Sequence, residues 1–107
     1  MTRSVRFRVL AREDVAEEAQ FLAASGAAVA DRFLEAVDRG SERIASFPQL
    51  GRKVSPPGRF LAGVRSWPVP GFENVIIYCR PIARRIDVLR VIHGARDLSR
   101  LPCAEEE

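Results

Sequence analysis

The chain has 107 residues, a size that builds one domain around one modest core. Its 47% hydrophobic and 29% charged content excludes disorder of the kind driven by low hydrophobicity and high net charge. No apolar run approaches the ~20 residues of a membrane span. Residues 1–12 carry four arginines and lack the apolar stretch of a signal peptide, so the expected location is the cytoplasm. Cys79 lies in an apolar run and Cys103 in the expected tail, and two cysteines make neither a disulfide framework nor a four-ligand zinc site. No metal or other cofactor is expected.

The net charge of +3 is unevenly spread. Residues 1–50 hold seven arginines against eight acids, residues 51–104 hold nine arginines and Lys53 against three acids, and residues 105–107 are all Glu. A basic second half suggests an anionic partner, either nucleic acid or an acidic protein segment. Sixteen arginines to one lysine, alongside abundant alanine, also fit a bias in nucleotide composition.

In chain order, residues 4–10 alternate, with Val5, Phe7 and Val9 on one face and Arg6 and Arg8 on the other, which predicts a half-buried strand. From Arg12 the period changes. Val15, Ala19 and Leu22 recur at helical spacing to about Ser25, while Glu13, Asp14, Glu17 and Glu18 crowd the first turns and suit the helix dipole. Gly26 supplies a left-handed helix end, and a second helix of about five turns carries Val29, Phe33, Val37, Ile44 and Phe47 on one stripe until Pro48 closes it. Two helices joined at one glycine fold back as an antiparallel hairpin.

Residues 48–59 are rich in Pro and Gly and read as a surface loop. Strand-like runs follow at 60–67, 73–80 and 84–92, linked by segments short enough for hairpins. The order β-α-α-β-β-β predicts an α+β fold, a four-stranded antiparallel or mixed sheet with a helical hairpin on one face. Residues 1–98 form the expected single domain and 99–107 a tail.

Three stretches carry a family likeness. They are FPQLG at 47–51, VRSWPVPGFENVIIYCR at 64–80, and VLRVIHGARDL at 88–98. In order and spacing the chain resembles the RelE/ParE toxins of type II toxin–antitoxin systems. The mRNA-cleaving branch resembling RelE places lysines on the second strand, an arginine opening the third, an arginine after the fourth, and a Tyr or His near the C-terminus. RNA cleavage needs such a base, acid and cations. With Gly71 at the turn, the lysine positions fall near Val64 and Ser66 and the third-strand arginine near Val75, while Arg96 fills the fourth-strand position. The tail offers neither Tyr nor His. These departures favour the ParE-like branch, which the resemblance links to poisoning of DNA gyrase by binding. A ribosome-dependent mRNA endonuclease with an atypical site, or a non-toxic binding module, is the alternative.

Single residues leave two readings each. His93, the sole histidine, and Arg96 are the catalytic candidates; His93 also suits a backbone cap beside Gly94, and Arg96 an internal ion pair. Arg65, Arg90 and Arg96 are target-binding candidates, the first two on a basic strip of the sheet or simply on a solvated face. Trp67 and Tyr78 read as packing residues. The resemblance further implies a cognate antitoxin with an acidic segment that folds on binding. Small side chains on the helices, among them Ala16, Ala19 and Ala23, leave shallow apolar grooves for an amphipathic helix, with a sheet edge beside them and Arg84 meeting antitoxin acids.

Overall fold

The structure, a computed structural model, describes residues 3–54 and 63–94. Strand β1 (Ser4–Phe7) leads into helices α1 (Val9–Ala23) and α2 (Ala27–Ser46), then a 3-10 turn (Pro48–Leu50), β2 (Arg52–Lys53), β3 (Arg65–Val69), β4 (Phe72–Ile82) and β5 (Arg85–His93). The strands make one mixed sheet in the order β1-β5-β4-β3-β2, with β1 parallel to β5 and the other pairs antiparallel. This is the expected α+β arrangement with one more strand. Arg52 and Lys53, expected in a loop, pair with Ser66 and Arg65. Gly51 permits that approach, since a Cβ there would stand 2.9 Å from the Arg65 Cβ.

The first strand ends sooner than its alternation suggests. The Arg8 N–H donates to the Val88 carbonyl as the last parallel rung, and the Arg8 carbonyl accepts from the Arg12 N–H, so the chain turns straight into α1. Ala11 becomes fully buried, whereas Val9, expected on the core face, is 38% exposed. The early start also removes acids from the first turn of α1, so Glu13, Asp14, Glu17 and Glu18 do not act on the helix dipole as expected. Gly26 differs from expectation too. Helix α1 ends on Ala24 in the ordinary right-handed region, and Gly26 instead precedes α2 at φ 141°, ψ 142°, a backbone region open mainly to glycine.

Helix α2 buries Phe33, Val37 and Ile44 from its predicted stripe, together with Ala30, Ala36 and Ala45. Each large apolar side chain so buried contributes about 2 kcal/mol by removal from water. Phe33 meets Phe72 edge to face at 5.4 Å between ring centres. Gly40 lets the helix lie close to the sheet, because an added Cβ would come within 3.2 Å of Ile77 Cδ1 and Pro70 Cδ. Phe47, expected on the same stripe, lies past the last helical residue and is exposed.

Both faces of the sheet are apolar. Val75, Ile77, Cys79, Ile86, Val88 and Val91 face the main core, while Tyr78, Leu89 and Ile92 form a second cluster with Val64, backed by Val54 and Ile76. That explains why β4 and β5 read as nearly continuous apolar runs instead of clean alternations. No described helix is long and apolar enough to cross a membrane.

Burial pushes the Cys79 thiol up to about 12, against an opposing pull from Arg65. In a Cys103→Ala background, a thiol reagent at pH 8 is expected to modify the native protein at least about 100-fold more slowly than the urea-unfolded chain, because the thiolate is the nucleophile. Comparable rates would show that Cys79 is not enclosed. The thiol ionises more readily when unfolded, so its contribution to stability is complete below its ordinary value of 9.0 and is lost as pH rises toward about 12.

Candidate interaction surfaces

Strand β1 pairs with β5 only as far as Val88, which leaves the later half of β5 with no strand on that side among the described residues. Helix α1 covers the gap with carboxylates. Asp14 Oδ2 accepts the Val91 N–H at 3.0 Å, and the two Asp14 oxygens accept from Arg90 Nε at 2.7 Å and Nη2 at 3.0 Å. One turn later Glu18 Oε1 lies 3.2 Å from His93 Nε2. Helical spacing of four residues thus meets strand spacing of two along one seam. A register shift opposite Tyr78 and Cys79 accommodates the extra residue Leu89 next to Arg90.

This seam fixes where two sequence candidates stand. The Arg90 side chain is 15% exposed and its Nε and Nη2 are engaged by Asp14, whose hydrogen bond raises its pKa further. The His93 ring is 47% exposed and faces Glu18 rather than a backbone group. Arg65 sits across β4 from them, and its Nη1 donates to the Gly51 carbonyl at 2.6 Å. The structure therefore brings Arg90 and His93 to one seam and keeps Arg65 apart. Arg96 lies outside the described residues.

Of the residues near which the resemblance sets the cations of the RNA-cleaving branch, Val64 and Val75 are 1% and 4% exposed, and Ser66 is half-buried between Arg52 and Tyr78 in the sheet. Trp67 packs against the main core, with a buried indole N–H that has no hydrogen-bond partner among the described residues. Tyr78 is buried in the second cluster. Among the described residues no three His, Cys, Asp or Glu side chains come together as a metal site.

A groove of about 590 Å³ runs between the helices, floored by Phe7, Val15, Ala19 and Val37 and flanked by Ala16 and Leu34. Arg12 and Asp38 stand at its border. Ala23 is exposed but does not line this groove, and Arg84 is exposed in the turn between β4 and β5, away from it. Leu34, 40% exposed, was not legible as a groove residue, because outward helix positions are usually read as solvent-facing. The Asp14 and Glu18 pairings were missed for the same reason.

No curated protein sequence matches the chain. Among solved structures, it is similar to a chain described as "Chromosomal ParDE TA system from P. aeruginosa", with a TM-score of 0.68 and 16% identity over 86% of this chain and 96% of that one. At that identity the likeness concerns the fold. Residues 5–98 match the family model for the ParE toxin of the type II toxin–antitoxin system, parDE. The chain belongs to the ParE toxin family and is the toxin component of a type II toxin–antitoxin system.

Proposed function

We propose that this toxin arrests bacterial growth by poisoning DNA gyrase through binding, and that a cognate antitoxin neutralises it by occupying the groove between α1 and α2. The burial of Val64 and Val75 carries the first part. A lysine or arginine at either place would have to leave water for an apolar cluster, so these positions serve packing and not phosphorane stabilisation. The sole histidine stands opposite Val75 in the sheet and is engaged with Glu18. Purified toxin added to gyrase and supercoiled DNA is expected to accumulate protein-linked DNA breaks, with growth arrest on induction relieved by the partner encoded beside it. Codon-phased mRNA cuts in a ribosome-containing extract, abolished by Arg96→Ala, would instead assign an endonuclease. Soluble protein with neither effect would leave a binding module.

The groove is open, apolar and lined by small α1 side chains, which suits an amphipathic helix that fills it. Ala16→Glu places a charge against that filling helix and is expected to speed antitoxin dissociation about 10- to 100-fold. Arg84→Ala, outside the groove, should chiefly slow association at low salt, as a rim charge does. Surface plasmon resonance separates the two effects, and a silent Ala16→Glu would refute the groove as the antitoxin site.

A further inference from the structure

The far end of α2 carries an apolar platform that the core does not use. Past Ser46 the Phe47 N–H still donates to the Arg43 carbonyl, and the Leu50 N–H donates to the Phe47 carbonyl, both at 2.9 Å, so the 3-10 turn closes on itself. Arg65 braces the turn from β3, with Nη1 2.6 Å from the Gly51 carbonyl and 3.5 Å from that of Gln49. On this fixed frame Phe47 is 58% exposed and Leu50 42% exposed. They border a cavity of about 580 Å³ that Arg3, Arg65 and Pro81 also line. Holding two large apolar side chains in water does nothing for folding, whereas fixing them in advance lowers the ordering cost of an association.

Arg3 and Arg65 line the cavity, and further cations lie on the adjoining elements. Arg3 Nε donates to the Ala83 carbonyl at 3.0 Å, next to exposed Arg84. Arg43 stands in the last turn of α2, and exposed Arg52 and Lys53 continue from the turn along the outer strand of the sheet. Glu42 is the nearest acid in sequence. A second copy docked here would bring these cations face to face. A nucleic-acid backbone would satisfy the cations and leave Phe47 and Leu50 in water.

The geometry points to this platform as the surface by which the toxin grips its target, a protein segment presenting an apolar side chain flanked by carboxylates. The inference rests on the growth-arrest reading and deepens it. The platform shares no lining residue with the groove between α1 and α2, so target and antitoxin contacts can be separated.

Two double variants of the full chain test it, Phe47→Ser with Leu50→Ser, and Arg52→Glu with Lys53→Glu. Both are expected to keep the wild-type melting temperature and to copurify with antitoxin, yet to lose growth arrest when induced alone. Gyrase–DNA breaks should then require at least about 30-fold more toxin, the effect of losing a binding hot spot. Should the apolar variant unfold, the charge variant decides. Undiminished arrest would overturn the proposal. So would loss of antitoxin binding by folded variants, or wild-type binding of bare duplex DNA that both variants abolish, because the surface would then belong to the antitoxin or to nucleic acid. If wild-type toxin arrests growth without gyrase breaks, the gyrase reading fails while the growth assay still decides the platform.

Discussion

Asp87→Ala is expected to lower the free energy of unfolding by about 3–5 kcal/mol, the cost of breaking a buried charge pair from one side. Asp87 lies in the middle of the sheet and is 0% exposed. Its Oδ2 accepts from Arg8 Nη1 at 3.2 Å, and its Oδ1 from Arg85 Nε at 2.6 Å. Arg8 stands where β1 turns into α1, with a side chain only 10% exposed, and this carboxylate helps to offset its buried charge. Arg85, with a side chain 41% exposed, can find other partners in water. Removing the carboxylate should therefore loosen the β1–α1 junction first. Thermal denaturation should show a fall of more than about 10 °C for a domain of this size. Replacing Arg8 and Asp87 together by leucine should recover much of the loss, because the apolar pair leaves no buried charge. A change under about 1 kcal/mol in the single variant would mean that Arg8 reaches solvent or another acceptor when Asp87 is gone.

The same residue shows why the fold was more legible than the contacts within it. The stripe of Phe33, Val37 and Ile44 has one helical solution, and it packs as read. The runs 73–80 and 84–92 have no clean alternation because both sheet faces are covered, yet their length and flanking turns still mark strands. Boundaries failed where one residue satisfies two periods. Val9 completes an alternation with Val5 and Phe7 and also opens a helix, and the rung from Arg8 to Val88, eighty residues on in sequence, decides between them. Phe47 fits the α2 stripe in spacing, but the helix stops one residue earlier and the ring turns outward. Arginines were harder still. Arg90 alternates like a surface residue of a strand, whereas the register shift beside Leu89 and the passage of α1 over β5 bind it to Asp14. An acid at position 14 and an arginine at position 90 carry no mutual signal in one sequence.

That pairing supports the second large effect. Asp14→Ala should cost about 3 kcal/mol, because it removes a charge-assisted two-point contact and leaves a strand N–H without its acceptor. The Val91 amide, which donates to Asp14 at 3.0 Å, should lose protection from hydrogen exchange before its neighbours in β5 do. Asp14→Asn keeps an oxygen for that N–H and loses only the charge, so it should fall between wild type and Asp14→Ala. Arg90→Ala should also destabilise, and the double variant should be little worse than Asp14→Ala alone, giving a coupling of at least about 1.5 kcal/mol for groups in direct contact. The comparison bears on function as well as stability. If Arg90 serves to hold α1 on the sheet, Asp14→Ala and Arg90→Ala should weaken antitoxin binding to similar extents by loosening one wall of the groove, and both should follow the loss of stability. If Arg90 contacts the target directly, Arg90→Ala should abolish growth arrest under conditions where Asp14→Ala, at least as destabilised, remains toxic. The side chain is 15% exposed and held at two points by Asp14, so parallel behaviour of the two variants is the expected result.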